Sequence, residues 1–234
     1  MPETLPLMLF AAGFGTRMGA LTAEKPKPLL KVSGKTLLDH AIDIGRQAGV
    51  SRMVANAHYR ADQIVNHLAG RDIAVSVESG PILETGGGLR HALPLLGDGP
   101  VAILNTDAVW TGRNPLTQLF EIWDPTRMDA LLLTLPAETA RSATGRSDFT
   151  RDAENRIAWA QGRPGVLYLG AQIINPRILD NETGPVFSMH GPWTRAIDAG
   201  RAFCMTHQGD WCDVGHPEGI AEAEEMLKAA HVRA

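Results

Sequence analysis

Short apolar runs alternate with segments of helical periodicity through the first half of the chain, and this alternation restricts the fold most strongly. The first run, residues 5–11, contains no polar side chain, which is typical of a strand buried on both faces of a parallel sheet. Parallel strands need long crossover connections, and helices supply them. We therefore expect an α/β fold with a three-layer, Rossmann-like arrangement, in which a mixed, mostly parallel sheet carries helices on both faces. The predicted strands are 5–11, 52–56, 73–78 and 101–105, and the predicted helices between them are 36–48, 60–69 and 88–95.

The pattern becomes less regular after residue 129, where the sheet is expected to become mixed. Neither a linker nor an internal repeat interrupts the chain, so we expect a single domain over residues 1–234. The predicted strands of this half are 130–135, short pieces around Asp148 and Ile157, 166–175, 201–205 and 211–214, and the predicted helices are 193–199 and 217–230.

The composition favours a protein that acts on small molecules. With 44% hydrophobic and 21% charged residues, the chain can bury one substantial core. The formal net charge of -4 gives no general reason to bind nucleic acid or an anionic membrane, and no apolar run is long enough to span a bilayer. Cys204 and Cys212 are too few for a disulfide framework, so a cytoplasmic location is expected. None of these properties defines an oligomeric state.

A glycine-rich loop follows the first predicted strand. Gly13 and Gly15 would allow backbone N–H groups to approach phosphate oxygens, and Arg17 adds a planar, permanently charged group. Further along, Lys27 stands between two prolines that restrict the backbone. An ordinary turn with solvated charges is the alternative. A dinucleotide-binding fingerprint is disfavoured because the third glycine, Gly19, comes one position late.

Two further segments point to a ligand site. Asp107 follows a buried strand, and a carboxylate at that end of a parallel sheet can meet a metal ion and phosphates, although a turn or capping role is the alternative. The glycines at 86–88 precede a helix and would let the backbone approach a base or sugar, unless they form only a flexible turn. The eight histidines show no metal-ligand spacing.

The loop resembles the signature of the sugar-1-phosphate nucleotidyltransferases, an α/β family of the nucleotide-diphospho-sugar transferase type. The resemblance is carried by residues 11–18 (Ala-Ala-Gly-Phe-Gly-Thr-Arg-Met), by Leu21-Thr22 and by residues 26–29 (Pro-Lys-Pro-Leu), with Ala20 where the family usually has proline. It implies that Arg17 contacts the outer phosphates of a nucleoside triphosphate and that Lys27 contacts the α-phosphate. It also implies that the nucleotide is held by the loop residues Ala11, Ala12, Gly13, Gly15 and Thr16.

The segment 211–215, Trp-Cys-Asp-Val-Gly, resembles the second metal-binding segment of the same family. The resemblance implies that Asp107 and Asp213 together bind Mg²⁺, and it makes Arg17, Lys27 and the two aspartates the expected catalytic residues. Thr106 replaces the glycine that commonly precedes the first aspartate. His216 follows the second segment directly and is either near the metal or a surface residue.

Within this family, the Leu-Glu-Thr-Gly-Gly-Gly run at 83–88 is most similar to uridylyltransferases that act on N-acetylmuramate 1-phosphate. The resemblance implies nucleotide contacts by Asn56, Glu84 and Gly88, and sugar contacts by Asn105 and Asp148. A solvated hairpin aspartate is the alternative for Asp148. The nucleotide-binding half would span about residues 1–110 and the sugar-binding half about 111–234.

The expected reaction joins a nucleoside triphosphate, UTP by resemblance, to a sugar 1-phosphate, giving a nucleotide sugar and pyrophosphate. Alternatives within the class are guanylyl or thymidylyl transfer to mannose or glucose 1-phosphate and cytidylyl transfer to a phospho-alcohol. A nucleotide-sugar-binding module without turnover and an NAD-dependent oxidoreductase are the alternatives from other classes.

Overall fold

The computed structural model describes residues 4–140 and 146–233, and they form helices on both sides of a central sheet. No helix in this described part is both long and apolar enough to cross a membrane. The strands are β1 (Leu7–Phe10), β2 (Lys31–Val32), β3 (Lys35–Thr36), β4 (Met53–Ala57), β5 (Ala74–Val77), β6 (Val101–Asn105), β7 (Ala108–Trp110), β8 (Ala130–Pro136), β9 (Phe149–Arg151), β10 (Ile157–Trp159), β11 (Val166–Ile174), β12 (Ala202–Thr206) and β13 (Trp211–Asp213). The helices are α1 (Leu37–Gln47), α2 (Ala61–Leu68), α3 (Glu84–Leu96), α4 (Pro115–Ile122), α5 (His190–Asp198) and α6 (Glu218–Arg233).

Nine of these strands form one mixed sheet, as the sequence predicts. Strands β5, β4, β1 and β6 are parallel neighbours in that order. Beyond β6 the sheet turns antiparallel at β11, continues to β8, and ends with β12, which runs parallel to β8. The β9–β10 hairpin joins the sheet beside the start of β11. Two short ribbons lie outside the sheet, β2 with β3 and β7 with β13.

Strand β1 is buried on both faces, which explains its wholly apolar sequence. Leu7 and Leu9 belong to the core under α1, α2 and α4, whereas Met8 belongs to the core under α3 and α5. All three side chains have no exposed surface. Burying a side chain of this size stabilises the fold by about 1.5–3 kcal/mol. A third apolar cluster packs α6 against the β7–β13 ribbon and includes Met18 from the glycine-rich loop.

Several elements differ from the sequence prediction, among them the unpredicted β2–β3 ribbon and helix α5, which begins at His190 rather than residue 193. Helix α3 begins at Glu84 rather than residue 88, because the glycines of its first turn fit against another segment of the protein. Helix α4 was not predicted, although Asn114 caps it through its side chain and Pro115 occupies the first turn. Strand β7 was not predicted either, because its partner strand β13 lies far away in the sequence.

The start of α1 is held by a network of charged and polar groups. Thr36 Oγ1 accepts a hydrogen bond from Asp39 N at 3.0 Å and donates one to Asp39 Oδ2 at 2.6 Å. Asp39 Oδ1 lies 2.5 Å from Arg71 Nη1 and 3.1 Å from His67 Nε2. Partial burial disfavours the charged carboxylate, but these hydrogen bonds outweigh it and lower the pKa of Asp39 to about 2.

Replacing Asp39 with asparagine should destabilise the protein by about 1 kcal/mol at neutral pH, after allowance for solvent screening. Because the folded-state pKa is depressed, the contribution of the carboxylate is complete above the unfolded value of 3.8 and disappears as the pH falls to about 2. Urea unfolding of both proteins at pH 7 and between pH 5 and 2 measures the difference. Asp43→Asn, which removes an exposed partner of Lys35 on the same helix, is the control. A pH-independent gap between wild type and Asp39→Asn would contradict the prediction.

Candidate active site

The carboxyl ends of β1, β4 and β6 open into a cavity of about 290 Å³. A second cavity of about 600 Å³ adjoins it on the side of β11 and β13. Arg17, Asn105 and Asp107 line both cavities. The first cavity brings together most of the residues that sequence reasoning assigned to the nucleotide, namely Ala11, Ala12, Gly13, Gly15, Thr16, Arg17, Lys27, Asn56 and Glu84.

The glycine-rich loop folds back on itself so that its two cations reach the same cavity. Gly15 has a left-handed backbone (φ 63°), and a Cβ at this position would lie 2.8 Å from Lys27 Cβ. Thr22 Oγ1 lies 3.0 Å from Gly15 O and 3.2 Å from Gly19 O, where it can donate a hydrogen bond. Met18 is buried and fixes the middle of the loop to the core. Glycine at position 15 is therefore required for the close approach of Lys27.

Lys27 and Asp107 form an ion pair, with 2.9 Å between Nζ and Oδ2. Only 9% of the lysine side chain is exposed, against 36% of the aspartate side chain. A cation that has lost most of its hydration requires a close counter-ion. The pair thus connects the end of the loop to the carboxyl end of β6.

The β7–β13 ribbon brings Asp213 beside Asp107. Asp213 pairs with Ala108 across the ribbon, and Val214 N donates a hydrogen bond of 2.8 Å to Asp107 O. Burial raises the pKa of Asp213, and the negative charge of Asp107 raises it further, while Lys27, Arg17 and His216 act in the opposite direction.

Gly215 leaves room beside this pair of carboxylates. A Cβ at that position would lie 2.4 Å from Asp213 Oδ2 and 3.1 Å from the terminal nitrogens of Arg17. The missing side chain therefore lets the arginine approach the second aspartate, and both cations and both carboxylates converge at one point.

Two carboxylates form a donor set that fits a hard cation. Mg²⁺ commonly takes one or two protein carboxylates and completes its shell with water and substrate phosphates. Among the described residues there is no group of three or more histidine, cysteine or acidic side chains suited to a metal. Asp107 and Asp213 can hold Mg²⁺ in this manner, since oxygen-only ligands favour it over zinc or copper.

Asn56 and Glu78 form a buried polar pair in the wall of the first cavity. Asn56 Oδ1 accepts a hydrogen bond of 2.7 Å from Ala11 N, and its Nδ2 donates one of 2.6 Å to Glu78 Oε1. Leu83 N donates to the other oxygen of Glu78 at 3.1 Å. A Cβ at Gly88 would come within 2.8 Å of Glu78 Oε1, so this glycine packs behind the pair and does not line the cavity. Sequence reasoning missed Glu78, although it directly follows β5.

The first turn of α3 contacts another part of the protein. Gly86 N and Gly87 N donate to Phe187 O at 3.0 and 2.9 Å. A Cβ at Gly86 would lie 2.5 Å from the ring of Phe187, and one at Gly87 would lie 2.2 Å from Pro185 O. These two glycines therefore serve packing of the 185–187 segment. Glu84 lines the cavity with an unusual left-handed backbone (φ 61°).

The second cavity contains two buried donors that the sequence did not single out. The Tyr168 hydroxyl and the Trp211 indole N–H have no partner among the described residues. Asp148 is not one of the lining residues, but its Oδ2 accepts a hydrogen bond of 2.9 Å from Tyr168 N. Desolvation by the surrounding protein raises the pKa of Asp148 despite that hydrogen bond and the solvent contact of the residue. His216 lines this cavity and lies 3.2 Å from Glu218.

The chain is similar to known nucleotidyltransferases both in sequence and in fold. Residues 7–185 match the model of the MobA-like NTP transferase domain. The chain is 38% identical to an N-acetylmuramate alpha-1-phosphate uridylyltransferase of Caulobacter vibrioides, over 95% of the chain and 97% of that protein. It is 33% identical to a protein of the same name from Neisseria meningitidis serogroup B, over 95% of the chain and 98% of that protein.

Two solved structures confirm the fold at much lower identity. HddC from Yersinia pseudotuberculosis, complexed with GMP-PN, has a TM-score of 0.77 at 19% identity, over 96% of the chain and 100% of that structure. A UDP-glucose pyrophosphorylase complexed with UDP-glucose has a TM-score of 0.79 at 15% identity, over 97% of the chain and 99% of that structure.

Replacing Lys27 with methionine should strengthen divalent-cation binding to the substrate-free protein by roughly tenfold, because the lysine charge competes with a metal for Asp107. Titration with Mn²⁺, followed by electron paramagnetic resonance, measures this. Lys25→Met is the matched control, since Lys25 is exposed and lies two residues earlier. Equal or weaker Mn²⁺ binding by Lys27→Met would show that the ion pair does not obstruct the metal site.

Proposed function

The chain belongs to the family of MobA-like NTP transferase domains, and we propose that it transfers the uridylyl group of UTP to N-acetylmuramate 1-phosphate and releases pyrophosphate. The observation that carries the proposal is the contact of Lys27 with Asp107 in a cavity formed by the glycine-rich loop, with Asp213 beside it. The choice of base and sugar is supported by two relatives of that activity that match nearly the whole chain.

The reaction needs alignment and charge neutralisation more than it needs a base. A sugar 1-phosphate oxygen attacks the α-phosphorus of the triphosphate, a new P–O bond forms, and the bond to the β-phosphate oxygen breaks. The nucleophile is already an anion, so no protein group has to remove a proton. The barrier arises largely because two negatively charged phosphates must meet.

The protein supplies two cations for this task. Lys27 would neutralise the α-phosphate as charge moves to the leaving group, and Arg17 would stabilise the outer phosphates that leave as pyrophosphate. Backbone N–H groups of Gly13 and Gly15 would hold phosphate oxygens at the start of the loop. Asn56, Glu84 and Gly88 remain our candidates for shaping the nucleotide subsite, Gly88 through the Asn56–Glu78 pair behind it.

Asp107 and Asp213 would hold Mg²⁺, which when bound neutralises the negative charge of the phosphates. The two carboxylates fit this role because both line the second cavity, Asp107 also lines the first, and the pair includes no softer ligand.

The second cavity suits the sugar 1-phosphate. It shares Asp107 and Arg17 with the first, so substrates in the two cavities would meet at the carboxylates. Asn105, Tyr168 and Trp211 line this cavity and are our candidates for contact with the sugar, with Asp148 beside Tyr168 as a further candidate. This supports a nucleotide-binding half of about residues 1–110 and a sugar-binding half of about 111–234. Two buried cysteines that form no disulfide suit the cytoplasm, where we place the enzyme.

Pyrophosphate release from four nucleoside triphosphates, each with a panel of sugar 1-phosphates, tests the proposal. Turnover should be highest with UTP and N-acetylmuramate 1-phosphate. A preference for GTP and mannose 1-phosphate would refute this choice and agree with the more distant relatives, among them a mannose-1-phosphate guanyltransferase of Neurospora crassa that is 26% identical. Nucleotide-sugar binding without any turnover would indicate a non-catalytic module.

Asp107→Asn and Asp213→Asn should each lower kcat by at least about 100-fold, because each removes a preorganised charge from the site. Circular dichroism should show an unchanged fold. Asp210→Asn, an exposed aspartate three residues before Asp213, is the matched control and should keep wild-type turnover. Near-normal pyrophosphate release by Asp107→Asn would refute the metal assignment.

A further inference from the structure

Three consecutive carbonyl groups in the glycine-rich loop are bound by side chains of the turn that follows β4 and of the first turn of α2. Tyr59 Oη lies 2.9 Å from Thr22 O and 3.0 Å from Ala23 O. Arg60 Nη2 donates to Ala23 O at 2.7 Å, and Gln63 Nε2 donates to Glu24 O at 2.9 Å. These carbonyls belong to the segment that leads directly to Lys27.

The same turn also contacts the first part of the loop, before Arg17. The ring of Phe14 makes an edge contact with His58, at 5.4 Å between centroids, and lies 5.8 Å from the Tyr59 ring. Phe14 is 43% exposed, so this contact is a surface contact and not part of the core. The turn therefore holds both parts of the loop that carries Arg17 and Lys27.

Two of these side chains, Tyr59 and Arg60, also contact each other. Arg60 Nε donates to Tyr59 Oη at 3.1 Å, and its guanidinium lies 5.5 Å from the centre of the Tyr59 ring. The Arg60 backbone is left-handed (φ 49°) where it caps α2, a strained conformation for a residue other than glycine. The turn begins immediately after Ala57, and the preceding Asn56 binds Ala11 N. The end of β4 and the turn after it thus contact both the start of the loop, at Ala11, and its later part, at residues 22–24.

The segment that these groups bind has little other support. Residues 23–25 are exposed and belong to no helix or strand. Within the described chain, the hydrogen bonds that reach the carbonyls of residues 22–24 from outside the loop come from Tyr59, Arg60 and Gln63. Lys27, two residues further on, must nevertheless keep its ammonium group within 2.9 Å of Asp107.

We propose that Tyr59, Arg60 and Gln63 form a clasp that positions Lys27 for nucleotidyl transfer. The proposal rests on the proposed function, since it assigns these side chains an effect on the catalytic lysine. They are positioning residues, because they contact the loop and not the cavity lining. Loss of the clasp would widen the range of positions that Lys27 samples, and a displacement of about 1 Å can lower a rate by about 100-fold.

Two variants test the clasp with little loss of side-chain volume. Tyr59→Phe removes the hydroxyl and keeps the ring against Phe14, and Gln63→Glu replaces the donor by an acceptor that faces Glu24 O. Each removes hydrogen bonds outside the core, so Tm should fall by only about 2–4 °C. Gln47→Glu makes the same chemical change at an exposed position on α1 and is the control.

Hydrogen exchange measures the clasp itself. In the double variant Tyr59→Phe/Gln63→Glu, the backbone amides of residues 16–25 should exchange at least about fivefold faster than in wild type, while those of β1 stay unchanged. Unchanged exchange in the loop overturns the proposal, whatever reaction the wild-type protein catalyses.

Steady-state kinetics and a double-mutant cycle measure the positioning effect. Tyr59→Phe should lower kcat about tenfold with an unchanged KM for the sugar 1-phosphate, and should cause no further loss in a Lys27→Met background. An equal loss in both backgrounds, or an unchanged kcat despite faster exchange, overturns the positioning role. A wild-type protein without turnover instead contradicts the proposed function, and with it the effect on catalysis, while the exchange result still decides whether the clasp exists.

Discussion

The ion pair between Lys27 and Asp107 joins the loop after β1 to the end of β6, and much of the surrounding structure depends on it. A lysine that is largely removed from water is stable only beside a counter-ion. Asp107 provides one because β6 is the parallel neighbour of β1, so both strands end at the same edge of the sheet. The loop can return to that edge because Gly15 adopts a left-handed backbone without a side chain to collide with Lys27.

Charge balance explains why two cations and two carboxylates can share so small a space. Asp213 has a raised pKa because it is buried near another carboxylate, and Lys27 and Arg17 offset part of that repulsion. A triphosphate that arrives with a divalent cation would bring additional charge of both signs. Lys27 and Arg17 would then pair with the phosphates, and Asp107 and Asp213 would bind the metal ion. The net charge of the site would stay balanced although each group has a new partner. Groups held in place before substrate binds need little reorganisation during the reaction.

The sequence predicts the groups of the site better than their support. Asp107 could be predicted because it closely follows the apolar strand β6, whereas Asn56, a buried polar residue within β4, was assigned by resemblance. Asp213 could be assigned only by resemblance, because its approach to Asp107 depends on a ribbon between distant segments. A glycine in the sequence can likewise indicate either a ligand contact or close packing within the protein. Gly86 and Gly87 are of the second kind, because they pack against the 185–187 segment. Tyr59 and Gln63 gave no signal, since half-buried polar side chains at the start of a helix are common and only the fold shows which carbonyls they meet.

The reversal of strand direction at β11 gives the site its second half. A fully parallel sheet would leave only one row of strand ends beside β6, whereas antiparallel β11 begins at this edge and sends residues 167–170 past Asn105. The pairing of β11 with β8 shifts register between Tyr168 and Gln172, and Gly170 (φ 85°) lies where a Cβ would be 2.8 Å from Asn105 Cβ. This irregularity brings the β11 backbone close to Asn105 and opens the second cavity beside Asp107. In the proposed reaction the parallel strands would form the nucleotide side, and antiparallel β11 with its bulge would allow a second substrate to reach the same carboxylate.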